Sequence, residues 1–236
     1  MNQTTKQPTF TLQIDHLEKK FGKRKHSILK DINLTATSGE CIGILGTNGC
    51  GKSTLLSILA GIQTADSGQF QVISEDKTNP PLIGYVPQEN PLMEELSALD
   101  NLKLWYCESP LDLNQELEQG TLHMLGIHEF LHRRVKHMSG GMKKRLNIGC
   151  AIAKNPHILL LDEPGAALDL PCKEQIIDYL EKYKAQGNLV LIATHEEPEI
   201  ALCDRLFLLQ EGVLQPFTHD GKRTNLIKAL KERKES

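Results

Sequence analysis

At 236 residues, the chain is long enough to bury a sizeable α/β core but cramped for two full independent domains. A net charge of −3 gives no global electrostatic footprint for wrapping nucleic acid. The six cysteines, Cys41, Cys50, Cys107, Cys150, Cys172 and Cys203, include no C-x-x-C pair, which argues against a disulfide framework or zinc site and for a reduced, cytosolic chain. Basic residues cluster only locally, at Lys19 to Lys25, Lys143 to Arg145 and Lys222 to Lys234, and such clusters are ordinarily solvated faces. His128 and His132 stand one helical turn apart, but with no further ligand pattern they read as a surface pair. The N-terminus has no signal-peptide pattern, and the longest apolar runs fall far short of the roughly 20 residues that span a bilayer.

In chain order, Phe10, Leu12 and Ile14, then Ile32, Leu34 and Ala36, alternate with period two, the pattern of half-buried strands. Between them lies the turn "KKFGKRKHS", whose one aromatic residue is Phe21. A buried strand over Cys41 to Leu45, a glycine loop and a helix carrying Leu55, Leu56, Ile58 and Leu59 follow, with Gly61 as the stop. From about Glu94 to Asn155 the character turns helical. Leu99, Leu102 and Trp105 are helically spaced, Leu117, Leu122 and Leu125 follow, and a last helix after Gly141 ends before Pro156. This stretch is expected to form an inserted, mostly helical lobe. Buried strands return at Ile158 to Leu161 and Leu189 to Ala193 around a helix over Cys172 to Ala185, an alternation that implies parallel strands. A hairpin closes at Glu211-Gly212, and Arg223 to Ser236 is expected to be a charged terminal helix.

The chemistry begins at Gly46-Thr47-Asn48-Gly49-Cys50-Gly51-Lys52-Ser53, which matches G-x-x-x-x-G-K-[ST] between a buried strand and a helix. Its glycines let the backbone wrap so that N–H groups converge on phosphate oxygens. Lys52 reaches the β and γ phosphates, and Ser53 offers a hydroxyl to Mg²⁺. Thr54 follows directly and is counted with the nucleotide-binding residues. The four fixed positions arise by chance in about one chain in a hundred of this length. A phosphate cradle needs a carboxylate-bearing strand to hold the metal, and "ILLLDE", residues Ile158 to Glu163, supplies one, with both acids at the carboxyl end where ligands bind in open α/β sheets. Asp162 is then the metal carboxylate, and Glu163 the group that polarises the attacking water. "HMSGGMKKR", residues His137 to Arg145, looks like a helix start in which Ser139 caps and Gly140 and Gly141 leave backbone N–H groups open to an anion.

Taken with Gln88 in "GYVPQEN", Ala167-Leu168-Asp169 and His195 in "LIATHEEPE", these motifs stand in the order found in ATP-binding subunits of ABC transporters, and from about Phe10 to Leu214 the chain resembles that family. The resemblance implies a P-loop NTPase core with a mostly parallel sheet, an N-terminal antiparallel β subdomain and an inserted helical signature lobe, one ABC ATPase domain over 1–236. It also implies ATP and Mg²⁺ as cofactors. Phe21 would stack on adenine, Gln88 would sit near the metal and the lytic water, and His195 would hold the γ-phosphate. Asp169 would reach toward the opposing cradle, and Ser139-Gly140-Gly141 would cap the nucleotide of a second copy paired head to tail. The implied partners are that second ATPase subunit and a polytopic membrane permease, with no nucleic acid, at the cytoplasmic face of the membrane.

Three positions depart from the family's usual pattern. Met142 stands where many relatives have glutamine, and "SGGMKKRL" with "ELSALDNLKLWY" resembles exporter subunits of drug, polysaccharide and lantibiotic types, which makes export the expected direction. Gly165 follows "DEP" where Thr or Ser is usual, and Cys50 puts a thiol in the cradle. The alternative is a soluble ABC-type ATPase acting on nucleic acid or ribosomes. Those relatives carry a long coiled coil between cradle and signature, or two cassettes in one chain, and this chain has neither pattern.

Overall fold

The computed structural model describes residues 9–22, 26–76, 80–166 and 168–221. The terminal helix expected over 223–236 and Ala167 lie outside them. Three antiparallel strands, β1 (Phe10–Phe21), β2 (His26–Thr37) and β4 (Ser67–Ser74), form a small sheet in the order β2-β1-β4. The larger sheet has six strands, adding β3 (Cys41–Leu45), β5 (Ile83–Val86), β6 (Ile158–Asp162), β7 (Leu189–Ala193), β8 (Arg205–Gln210) and β9 (Val213–Phe217) in the order β5-β6-β7-β3-β8-β9. All its pairings are parallel except the β8–β9 hairpin. The fold is the α/β class expected: a mostly parallel sheet, an antiparallel sheet built largely from the N-terminal strands, and a helical segment inserted in sequence between β5 and β6.

β4 and β5 lie in a stretch where the sequence patterning had singled out no element. In β4, Phe70 and Val72 are only half buried, and their inward direction is set by antiparallel pairing to β1, more than fifty residues away in sequence (Ile14↔Phe70, Leu12↔Val72). β5 has four residues, too few to establish a period.

The parallel strands are buried on both faces, and the pleat divides their side chains between two cores. Ile158, Leu160, Leu189 and Leu191 face a core shared with Leu12, Ile14, Ile32 and Leu34 of the small sheet and with Leu55 and Leu56 of α1 (Lys52–Leu59). Leu159, Leu161, Val190 and Ile192 face the other, which takes in Leu102, Leu122, Leu125 and Leu146 from the helical segment. That segment comprises α2 (Ala98–Tyr106), α3 (Leu113–Glu118), α4 (Thr121–Met124), two 3₁₀ turns and α5 (Gly140–Ala151). Its first helix forms where expected, but its inner face is Ala98, Leu102 and Tyr106, and Trp105 is 47% exposed. Leu102 lies inward as the spacing implied, while Leu99 and Trp105 on either side of it give way to Ala98 and Tyr106. α6 (Leu170–Ala185) and the short α7 (Glu197–Leu202) connect the last strands.

Candidate functional site

β3 runs directly into the cradle, and the loop is shaped by glycines that tolerate no substitute. Gly51 precedes α1 at φ 113, and a Cβ there would lie 3.0 Å from both Ile28 Cγ2 and Leu29 Cδ2. A Cβ on Gly46 would fall 2.5 Å from Cys50 Sγ and 2.6 Å from the Leu209 carbonyl. The Cys50 side chain is thus tucked back under the loop, and burial raises its thiol pKa above the ordinary value. A cleft of about 470 Å³ opens over the loop, lined by Phe21, Asn48, Gly49, Lys52, Ser53, Thr54, Gln88 and Glu163 among others. Phe21 closes one side at the end of β1, the residue 43% exposed and Lys19 Nζ 5.3 Å from the ring centre. Thr47 contributes its carbonyl, which accepts from Lys52 Nζ at 3.3 Å, as does that of Gly46 at 2.9 Å.

The charged groups named from sequence converge on one carboxylate. Glu163 Oε1 lies 3.5 Å from Lys52 Nζ and 3.8 Å from His195 Nδ1, and Glu163 Oε2 accepts from Gln88 Nε2 at 3.2 Å. Four residues from α1 and from the ends of β5, β6 and β7 therefore meet, although more than 140 positions separate the first from the last. Glu163 holds a left-handed backbone, φ 47, and its N–H donates to the Ala193 carbonyl at 2.9 Å. A non-glycine residue in that region is characteristic of sites where the surrounding structure fixes a functional side chain.

Asp162 ends β6 at 2% exposure, and burial raises its carboxyl pKa despite a hydrogen bond with Ser53. Its Oδ1 has no hydrogen-bond partner. A buried carboxylate oxygen without a partner, beside a serine hydroxyl at the phosphate end of a cradle, fits a hard divalent cation such as Mg²⁺.

Ser139, Gly140 and Gly141 do not line this cleft. Ser139 caps α5 as expected, accepting from the Met142 N–H at 3.2 Å, and it is exposed together with Gly140. Asp169 caps α6 through the Cys172 N–H at 3.0 Å, so in this structure its carboxylate serves its own helix.

Lys144, which sequence reasoning passed over as part of a basic run, proved to be buried, at 4% exposure. From the signature helix α5 its Nζ donates to the carbonyls of Pro87 and Gln88, each at 3.0 Å. Burial pushes its pKa down to about 8, with Asp162, Glu199 and Glu163 pulling the other way. A second tie runs from Asn147 Nδ2 to Asn90 Oδ1 at 3.1 Å. Helical phase is the only difference between Lys144 and the lysine beside it, Lys143, since each step along a helix turns the side chain by about 100°.

Residues 29–166 match the family model for ABC transporters. Among known proteins, the linearmycin resistance ATP-binding protein LnrL of Bacillus subtilis is 31% identical over 227 residues, covering 93% of this chain and 71% of its own length. The taurine import ATP-binding protein TauB of Pseudomonas aeruginosa is 35% identical, covering 88% and 77%. The spermidine/putrescine import ATP-binding protein PotA of Bacteroides thetaiotaomicron is 33% identical over 86% of this chain, which spans only 45% of that relative's length. In structure, the ATP-binding cassette MJ0796, a dimer in a post-hydrolysis state bound to ADP and Pi, superposes with a TM-score of 0.76 at 26% identity, covering 86% of this chain and 96% of the other. Since the family model spans more than half of the chain and its relatives exceed 30% identity along most of it, the protein belongs to the ATP-binding subunits of ABC transporters and is an ATPase.

Proposed function

We propose that this chain, as one ABC ATPase domain over 1–236, binds and hydrolyses Mg·ATP in a site completed by a second copy, and drives export through a separate membrane subunit. The observation that carries the two-copy reading is the separation of its halves: Ser139 and Gly140 of the signature turn are exposed and lie outside the cleft that holds Lys52 and Glu163. An exposed helix start with open N–H groups suits a γ-phosphate presented by another molecule.

In that reading Phe21 stacks on the adenine, and the backbone from Gly46 to Gly51 with Lys52, Ser53 and Thr54 grips the phosphates. Ser53, Asp162 and Gln88 hold Mg²⁺, which neutralises charge on the β and γ phosphates when bound. Glu163 accepts a proton from the attacking water, and His195 fixes the γ-phosphate beside it. Lys52, Gln88 and His195 all contact Glu163, and a γ-phosphate is the stronger anion for Lys52 and His195, which would leave the carboxylate to the water. Phosphoryl transfer needs chiefly positioning and charge neutralisation, which favours a site that is complete only when closed.

Export rests on "SGGMKKR" and on the similarity to the linearmycin resistance protein along nearly the whole chain. Import proteins of comparable identity, TauB and PotA, make direction a matter for experiment. The partner is a polytopic membrane permease, with the ATPase peripheral at the cytoplasmic face. Among the described residues no helix is long and apolar enough to cross a membrane itself. The test is ATP-dependent dimerisation: Glu163→Gln should form a dimer with ATP by light scattering, and adding Ser139→Arg should abolish it while nucleotide affinity persists. A dimer that survives Ser139→Arg would refute the shared site.

A further inference from the structure

Gly165, the unexplained departure in the sequence, lies against Glu199, a carboxylate of α7 that is 4% exposed. The Gly165 backbone hydrogen-bonds this carboxylate, and a Cβ built on Gly165 would be driven into Glu199 Oε1, far inside contact distance. The other oxygen, Oε2, accepts from the Thr194 hydroxyl, which in turn accepts from the Glu196 N–H at 3.0 Å. Thr194 is itself buried, and its N–H donates to the Ile44 carbonyl at the end of β3. One carboxylate therefore reaches the loop carrying His195 on one side and the turn leaving Glu163 on the other. A second tie runs parallel to it, from Lys173 of α6 to Glu196 at 2.7 Å.

We propose that Glu199 is a positioning residue for ATP hydrolysis, holding the His195 loop and the turn after Glu163 as one unit, and that position 165 is glycine to leave room for this tie. The proposal rests on the reading that Glu163 and His195 act on the γ-phosphate. Sequence distance hides the arrangement, since Glu199 reads as one more acid in "HEEPE". Nothing about it suggests a surface residue once placed: burial pushes its carboxyl up to about 7, with Glu196 raising it further and Lys173 lowering it. Lys144 of α5 and the Cys203 thiol, whose Sγ contacts the Glu199 carbonyl at 3.2 Å, are the other titratable groups nearby. A glutamine, neutral and of the same shape, can accept from Gly165 and donate to Thr194.

The experiment measures kcat and, separately, nucleotide affinity for Glu199→Ala, Glu199→Gln, Gly165→Ala and the double variant Gly165→Ala/Glu199→Ala. Glu199→Ala should lose about tenfold or more in kcat with ATP affinity within about twofold of wild type, and Glu199→Gln should recover most of the loss. Gly165→Ala should show the same kcat defect with every native side chain kept, so the test stands even if truncating the carboxylate unfolds the protein. Because both changes break one tie, the double variant should be no worse than the worse single one. Wild-type kcat in Glu199→Ala, or a double variant whose losses multiply, would overturn the tie while leaving the roles of Glu163 and His195 intact. Wild-type turnover in Glu163→Gln and His195→Ala would overturn both.

Discussion

Replacing Lys144 by methionine separates what this residue does for stability from what it does for the site. Methionine keeps the stem in place and removes the amine, so the carbonyls of Pro87 and Gln88 lose a donor each. Each acceptor left without its partner costs about 1–3 kcal/mol, so the pair costs about 2–6 kcal/mol. Against this, burial has moved the Lys144 pKa from 10.5 down to about 8, and that displacement corresponds to about 3 kcal/mol that the charged amine costs the fold at neutral pH. The two oppose each other, so Lys144→Met should change stability at pH 7 by no more than about 3 kcal/mol. The pH dependence does not cancel. Between about 8 and 10.5 the unfolded chain holds the proton and the folded chain does not, so this lysine makes wild type gain stability as pH rises, by up to about 3 kcal/mol. Urea denaturation of both proteins at pH 7.5 and 9.5 reads the difference directly. Wild type should gain about 2 kcal/mol relative to Lys144→Met over that interval, and identical slopes would refute the assignment of a buried, weakly basic amine. The same variant should also hydrolyse ATP about tenfold more slowly, since Gln88 loses its tie to the signature helix.

Gly51→Ala should abolish nucleotide binding and cost about 1–3 kcal/mol, because φ 113 is closed to a residue with a Cβ and the new methyl group meets Ile28 and Leu29; wild-type nucleotide affinity would contradict the cradle geometry. Maleimide should label exposed Cys107 well before Cys50, whose thiol is tucked against Gly46 with its pKa raised; mass spectrometry of a timed reaction would show the reverse order if Cys50 faced the cleft. Asp162→Asn should weaken Mg²⁺-dependent binding of ATP far more than binding of ATP without metal, by titration with a fluorescent nucleotide; equal losses would mean that the unpartnered Oδ1 does not face the cation.

Where an element's position follows from local spacing, the sequence was readable. The cradle, the acid pair at the end of β6 and the cap of α5 each occupy a few consecutive positions, and each forms where the pattern implied. The buried parallel strands were legible because both faces are apolar, which leaves nothing but a short hydrophobic run. What escaped depends on partners distant in the chain. β4 exists because β1 offers it an edge, and half of its inward face is formed by residues no more apolar than a loop's. Lys144 looked like a solvated charge and Glu199 drew no reading, since burial of a charge is decided by the carbonyls and hydroxyls brought to it, not by its own neighbours in sequence. The spacing of Leu99, Leu102 and Trp105 marked α2 as a helix, but the packing of α2 against α5 through Leu102 and Tyr106 turns Trp105 outward.

If each active site is shared between two copies, two variants with defects in opposite halves should complement each other. Lys52→Ala removes the phosphate lysine from one copy and Ser139→Arg blocks the signature turn of the other, so each protein alone should be inactive. Mixed, they form heterodimers in which one of the two sites joins an intact cradle to an intact signature turn, and ATPase activity should rise well above the sum of the separate proteins. A mixture no more active than its components, or Ser139→Arg hydrolysing ATP at the wild-type rate on its own, would contradict the account.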